Sequence, residues 1–250
     1  MKNAKKLSEC LCCGAKTLIT ILDLNKQPLA NSFKKNPLDF EDVFPLQLNL
    51  CTNCTHLQLS HAVNPDLLFT HYLYVSGTSQ TLRDYFDWFA NFSQQYFSPP
   101  AKTVLDIACN DGTQLDSFKA AGLTTYGIDP AMNLYPLSSK NHDVICDYFT
   151  QKHVKYYVGK HIDIINAQNV FAHTSYPLKF LKMCKQIMHD KSVLFIQTSQ
   201  ADMVKNNEFD TIYHEHLSFF NVNTLNDLVM AKDMLAGAKK SDITEKGLTN

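Results

Sequence analysis

At 250 residues the chain can hold one large domain or a main domain with a smaller companion, and its 45% hydrophobic content supports a sizeable core. Lysines and acids are mixed throughout to a net charge of −1, with no basic stripe, so phosphate-driven nucleic-acid binding is not expected. Arg83 is the only arginine. A diphosphate on any substrate would therefore fall to lysines, backbone amides or residues outside this chain. The start, Met1-Lys2-Asn3-Ala4-Lys5-Lys6, carries no apolar leader, and no apolar run reaches membrane-spanning length. The expectation is a cytoplasmic protein with no membrane partner. Eight cysteines in such a chain read as thiols or metal ligands, not as a disulfide framework.

Residues 18–24 and 44–50 alternate as strands, with a polar loop over residues 25–36. Residues 66–97 turn aromatic and mostly helical: Leu82, Tyr85, Phe86, Phe89, Phe92 and Tyr96 recur at three- and four-residue intervals. Pro99-Pro100 breaks that helix and marks a boundary. A β/α rhythm follows, with strands predicted at 103–108, 125–128, 144–146, 162–166 and 192–198 and helices at 113–121 and 177–188. Such alternation predicts an α/β fold, a doubly wound and mainly parallel sheet. A last helix is predicted over 223–236, before a polar end. The domain reading is a zinc-binding domain over 1–62, a helical linker over 63–98, a cofactor-binding domain over 99–222 and a short tail over 223–250.

Two C-x-x-C knuckles, Cys10/Cys13 and Cys51/Cys54, offer four thiolates at the spacing of a closed, structural zinc site. Gly14 suits the knuckle turn, and Cys12 is a competing ligand by sequence alone. The alternative is a set of buried free thiols.

Residues 104–113, Val-Leu-Asp-Ile-Ala-Cys-Asn-Asp-Gly-Thr, run from apolar strand through a turn into a helix whose N-terminus has unpaired N–H groups. A doubly wound sheet binds ligands at the carboxyl ends of its strands, where this turn lies. Tyr126-Gly127-Ile128-Asp129-Pro130 ends the next strand in a carboxylate able to accept both hydroxyls of a ribose. Ala108, Asn110 and Gly112 stand where a dinucleotide fingerprint wants three glycines. A pyrophosphate fits that turn poorly and a nucleoside without phosphates fits better; S-adenosylmethionine is such a ligand. Downstream, Tyr213-His214-Glu215-His216 packs a phenol, a carboxylate and two imidazoles between apolar flanks. These are groups that move protons near neutral pH.

In order and spacing these motifs resemble one family, the zinc-containing sugar C-methyltransferases, over residues 10–222. Val104 to Gly112 resembles its adenosylmethionine motif, Gly127-Ile128-Asp129-Pro130-Ala131 its ribose motif and Cys146-Asp147-Tyr148-Phe149 its adenine-flanking segment. Asn169-Val170-Phe171-Ala172-His173 resembles the stretch after the fourth strand. Ala108 replaces the family's usual glycine, a change expected to tighten the turn.

The resemblance implies a class I methyltransferase-like fold, with Asp106 near the methionyl amine, Gly112 near the methionyl group and Asp129 on the ribose. It sets Asp147 toward the adenine amino group and Tyr148 or Phe149 against the ring, with Asn110, Pro130 and Asn169 in the same cofactor-binding set. It further implies methyl transfer to a carbon, C3, of a nucleotide-linked 4-keto-deoxysugar, with His216 as base. Tyr213 and Glu215 match its partners, and His173 and one of Tyr72 and Tyr74, with Tyr74 preferred, are further contributors. The family continues with another domain, whereas about thirty residues follow here. A small-molecule O- or N-methyltransferase, a non-catalytic cofactor-binding remnant and an interaction module built on the cysteine domain are the competing readings. The expected assembly is a monomer or weak homo-oligomer.

Overall fold

A computed structural model of the chain describes residues 3–36 and 38–230. In chain order its strands and helices begin with β1 (Ala4–Lys6), β2 (Leu18–Pro28), β3 (Val43–Cys51), β4 (Leu57–Leu59) and β5 (His61–Val63). Two helices follow, α1 (Pro65–Phe69) and α2 (Gln80–Ser93). The alternating region is β6 (Thr103–Ile107), α3 (Thr113–Ala120), β7 (Thr124–Ile128), α4 (Tyr135–Ser138), β8 (Asp143–Ile145), α5 (Gln151–Val158), β9 (Ile164–Gln168), α6 (Pro177–Ile187) and β10 (Val193–Gln197). Then come α7 (Met203–Asn206), β11 (Ser218–Phe219) and α8 (Val222–Met230).

The central sheet has five parallel strands in the order β10-β9-β6-β7-β8. Strand alternation divides its two faces. Val104 and Ile164 point to the side covered by Phe89 and Ala90 of α2 and Phe118 of α3. Leu105, Ile107, Ile165 and Ala167 point to the opposite side, under Val154 and Tyr157 of α5 and Phe180, Leu181 and Cys184 of α6. Helices on both faces explain why β6 and β9 are buried almost throughout. The strand order reverses direction between β6 and β9, so a crevice opens at their carboxyl ends.

The cysteine region forms a second, antiparallel sheet in the order β11-β4-β3-β2. Its core of Leu46, Leu48, Leu57 and Leu59 also takes in Met203, Ile212, Leu217 and Phe219 from the far end of the chain. β11 thus completes the sheet of the N-terminal region, pairing Ser218 with Gln58 and Phe219 with Leu57.

The predicted helix over 66–97 is divided. Asn64 caps the short α1 and Ser79 caps α2, and residues 70–75 between them run without regular structure. The predicted loop over 25–36 begins later than expected, because β2 continues to Pro28 opposite β3. α5 is not among the predicted helices, and it buries His153, Val154 and Tyr157, the last two against the sheet. The part of the predicted 223–236 helix beyond Met230 lies outside the described residues. No helix among the described residues is long and apolar enough to cross a membrane.

Gly127 shows how tightly β7 meets the turn after β6. A Cβ there would stand 2.7 Å from Cys109 Sγ and 2.9 Å from Leu115 Cδ1. Gly127→Ala should lower stability by about 1–3 kcal/mol through overpacking, read as a shifted denaturant midpoint. Cys109→Ala in the same chain should recover part of the loss.

Candidate active site

A cavity of about 940 Å³ opens at the carboxyl ends of β6, β7 and β9 and runs toward the Tyr-His-Glu-His segment. Its floor is built by the turn after β6. Ala108 (φ +66°) and Asn110 (φ +52°) both take left-handed conformations. The turn directs the Asn110 N–H onto Asp129 Oδ2 at 2.9 Å, and Asp129 Oδ1 accepts from the Ala131 N–H at 2.8 Å. Asp106, 3% exposed, accepts from the amide of Asn166, its register partner on β9, at 2.7 Å. Burial pushes Asp106 up to about 7; the Asn166 hydrogen bond opposes this and Asp129 adds to it. Asp129 is also raised by burial, against the Ala131 and Asn110 N–H groups.

Asp106, Asn110, Asp129, Pro130, Tyr148 and Asn169 all line this cavity, together with Phe149. Two expected cofactor residues do not. Gly112 (φ +87°) starts α3, and a Cβ on it would lie 3.0 Å from the Ser138 backbone, so it faces α4. Asp147 turns to Lys152 and His153 at the start of α5, which draws its carboxylate away from the cavity. Asn110 contributes differently from the expectation. Its side chain accepts from the Ser76 N–H at 3.0 Å and donates to the Tyr74 carbonyl at 3.0 Å, fastening the linker over the turn.

At the other end, His216 Nδ1 lies 3.0 Å from the Thr211 carbonyl and Nε2 lies 3.0 Å from the Tyr213 hydroxyl. A carbonyl can only accept, so Nδ1 carries the proton and Nε2 accepts from Tyr213. Burial holds His216 below the ordinary imidazole range, partly offset by the Thr211 contact. His173 lies with its ring centroid 5.3 Å from that of His216 and stacks on Phe69 at 5.4 Å. Burial, with His216 beside it, pushes His173 down to about 3, and its buried Nε2 has no hydrogen-bond partner among the described residues.

Glu215, 2% exposed, accepts from Asn31 Nδ2 at 2.6 Å and from the Tyr72 hydroxyl at 2.9 Å. Burial raises its pKa against those two hydrogen bonds. Tyr72 and Tyr74 both line the cavity; the Tyr72 hydroxyl reaches Glu215, whereas Tyr74 is 50% exposed and its backbone carbonyl accepts from Asn110. Asn31, from the loop between β2 and β3, carried no sequence signal, because its contact spans 184 positions. His214 points to Phe44, with Nε2 3.2 Å from that residue's carbonyl. Gln114 and Gln168 also line the cavity, and each has a buried side-chain atom without a partner among the described residues.

The Sγ atoms of Cys10, Cys13, Cys51 and Cys54 lie within 4.8 Å of one another, at 3.6 Å for Cys10–Cys54 and 3.7 Å for Cys13–Cys51. A tetrahedral zinc with Zn–S bonds of ~2.3 Å has S–S edges of ~3.8 Å, which this cluster matches. A disulfide would need ~2.05 Å. Both knuckles close alike: Gly14 (φ +76°) donates to the Cys10 carbonyl and Thr55 (φ +62°) to the Cys51 carbonyl, each at 2.9 Å. Cys12 is engaged elsewhere, donating to the Thr224 carbonyl at 3.4 Å.

A family model described as "Methyltransferase domain" matches residues 78–233. The chain belongs to this methyltransferase family. A second model, described as "Putative zinc binding domain", matches residues 10–69. C-methyltransferase NovU of Streptomyces niveus is 26% identical over 228 residues, covering 88% of this chain and 54% of NovU. Ubiquinone biosynthesis O-methyltransferase of Glaesserella parasuis serovar 5 (strain SH0165) is 30% identical over 108 residues, 39% of this chain and 45% of that protein. The chain thus spans about half the length of the curated relatives it matches. The plantazolicin methyltransferase BamL, solved with a triazolic desmethylPZN analog and SAH, shares the fold at a TM-score of 0.52 and 17% identity, over 61% of this chain and 62% of that one.

The chain has a class I methyltransferase fold with an N-terminal zinc-binding domain, which implies S-adenosylmethionine as cofactor and zinc as metal. The residues present fit both. Asp106 is a buried acid and Asp129 a half-buried one, and no Lys or Arg is among the cavity-lining residues, an arrangement suited to a cationic ligand. The unpartnered polar atoms of Gln114, Gln168 and Tyr148 border the same space.

Asp129→Ala should weaken S-adenosylmethionine by about 1–3 kcal/mol in calorimetric titration, from unpaired hydroxyl groups. Asp106 is held near 7 in the folded chain against an ordinary value of 3.8. The folded state therefore keeps a proton that the unfolded state loses, and stability without ligand should fall as pH rises between those values. A cation favours the ionised acid, so affinity should weaken as pH drops below about 7, by up to roughly tenfold per unit. Asp106→Asn should flatten that dependence.

Proposed function

We propose that this chain is a C-methyltransferase acting on a carbon next to a ketone, C3 of a nucleotide-activated 4-keto-deoxysugar, with His216 as general base. The observation that carries it is the fixed tautomer of His216. The Thr211 carbonyl holds the proton on Nδ1, burial keeps the ring neutral, and the lone pair of Nε2 accepts from the Tyr213 hydroxyl beside the cavity that both residues line. A proton beside a ketone is a far weaker acid than imidazolium, so deprotonation also needs donors at the enolate oxygen. The Tyr213 O–H can rotate from Nε2 to that oxygen without moving its ring, which frees the base as it supplies the donor. His173, neutral and with an unpartnered Nε2, borders the same space. Glu215, held by Asn31 and Tyr72, is placed to accept a sugar hydroxyl. S-adenosylmethionine supplies an electrophilic methyl group on a sulfonium.

NovU's description as a C-methyltransferase supports this reading over O- or N-transfer. The charge of the cavity shapes it further. No Lys or Arg is among the lining residues, whereas Asp106, Asp129, Asp210 and Glu215 are. The sugar ring therefore occupies the cavity and the diphosphate stays beyond its mouth. In this reading residues 1–62, 63–98, 99–222 and 223–250 are the zinc domain, linker, catalytic domain and tail of a cytoplasmic enzyme that works as a monomer or weak homo-oligomer.

Deuterium wash-in at the sugar carbon tests the reading, because O- or N-transfer needs no C–H exchange. His216→Asn should keep the fold and cofactor affinity while lowering exchange and methyl transfer together by roughly 10²–10⁴-fold. Exchange that survives in His216→Asn overturns the base assignment. In the unchanged chain the acid limb of the rate should lie below pH 6.5, since burial lowers the folded pKa of His216 and the neutral base is lost only as pH falls through it.

A further inference from the structure

The segment carrying Tyr213, Glu215 and His216 takes most of its side-chain anchors from the N-terminal region, with the Tyr72 hydroxyl on Glu215 as a further one. His214 binds the Phe44 carbonyl, Asn31 binds Glu215, and His56 Nε2 meets Ser218 Oγ at 3.1 Å, where both residues are fully buried. The Leu59 N–H donates to the Leu217 carbonyl at 2.9 Å, and Ile212, Leu217 and Phe219 pack into the leucine core of that sheet. The parallel-sheet side contributes backbone contacts after the base, from the Leu217 N–H to the Ala172 carbonyl at 2.8 Å and from the Phe220 N–H to the Ser199 carbonyl at 2.9 Å.

The pairing that fixes this arrangement is very short. β4 has three residues and β11 two. Strands of that length hold no register by themselves, and a one-residue slip turns every side chain to the opposite face. What holds β4 comes from the two knuckles. The Cys51 N–H donates to the His56 carbonyl at 2.9 Å, so the second knuckle is the turn that joins β3 to β4. Gln58, also fully buried, accepts from the Leu11 N–H at 2.7 Å and donates to the Glu9 carbonyl at 3.2 Å, tying the first knuckle to the middle of β4. Both knuckles thus converge on the strand that positions the base.

We infer that the metal held by Cys10, Cys13, Cys51 and Cys54 sets the register of β4 against β11, and so the placement of Tyr213, Glu215 and His216, with His56 and Gln58 as positioning residues. Cofactor binding is separate, because the carboxylates of Asp106 and Asp129 are held by the parallel sheet and its turns. The inference rests on the reading of this segment as the reacting end, but its test uses no acceptor, so failure of that reading would leave the measurement intact.

The test is amide hydrogen exchange on the full chain, with zinc present and after its removal by a chelator under reducing conditions, beside titration with S-adenosylmethionine. Exchange over residues 212–220 should rise at least tenfold on zinc removal and recover when zinc returns. Residues 103–131 should keep their protection and cofactor affinity should change less than threefold. Gln58→Ala should retain zinc and raise exchange over 212–220 alone. Unchanged exchange there on zinc removal would overturn the inference, and so would a parallel loss of cofactor binding, which would make the metal a general stabiliser. If Gln58→Ala does not fold, the zinc-removal measurement on the unchanged chain decides.

Discussion

Buried negative charge without a matching cation is the constraint around which this molecule is arranged. Asp106, Asp129 and Glu215 share one cavity whose lining has no Lys or Arg. Each is compensated only by dipoles: an Asn166 amide on Asp106, two backbone N–H groups on Asp129, and an Asn31 amide with a Tyr72 hydroxyl on Glu215. Dipoles offset part of the desolvation and leave the acids raised. A ligand bearing a sulfonium and an ammonium meets that remaining demand. An arginine in the same place would stabilise the empty protein and compete with the cofactor.

The turn after β6 carries a related strain. Ala108 at φ +66° holds a Cβ in the left-handed region, a conformation that disfavours L-residues by ~1–2 kcal/mol. It is retained where the Ala108 N–H reaches the Ile128 carbonyl at 2.8 Å and the Asn110 N–H donates to Asp129. Gly127 belongs to the same constraint, since only a residue without a side chain lets β7 lie against Cys109 and Leu115. The cofactor end is thus preorganised by backbone geometry, whereas the reacting end is preorganised by side chains from distant parts of the chain.

That contrast explains how much was legible in the sequence. The β/α rhythm, the acid-ended strand and the cysteine knuckles are local patterns, readable because period, spacing and turn chemistry act over a few residues. Asn31 and the β4–β11 pairing are products of folding. They join positions more than 150 apart and leave no local trace. Gly112 and Asp147 lie outside the cavity lining for a related reason. Sequence proximity to a site says nothing of direction, and Ser138 and Lys152 claimed those two positions. Tyr72 and Tyr74 lie in an irregular stretch, where neither a helical nor a strand period tells which hydroxyl turns inward.

The N-terminal sheet is small, and β2 leaves Ile19 and Ile21 about half exposed on its outer side. Its four core leucines would make a thin core alone, so two further sources of order are built in. One is the cysteine cluster, which closes the ends of the strands. The other is Met203, Ile212, Leu217 and Phe219, lent by the segment that surrounds the base. The exchange is mutual: these apolar residues complete the sheet, and the sheet fixes His216 and Glu215. Deleting apolar surface at Phe219 would therefore loosen the sheet and the reacting end in one event, and the cofactor floor between Asp106 and Asp129 stands outside that coupling.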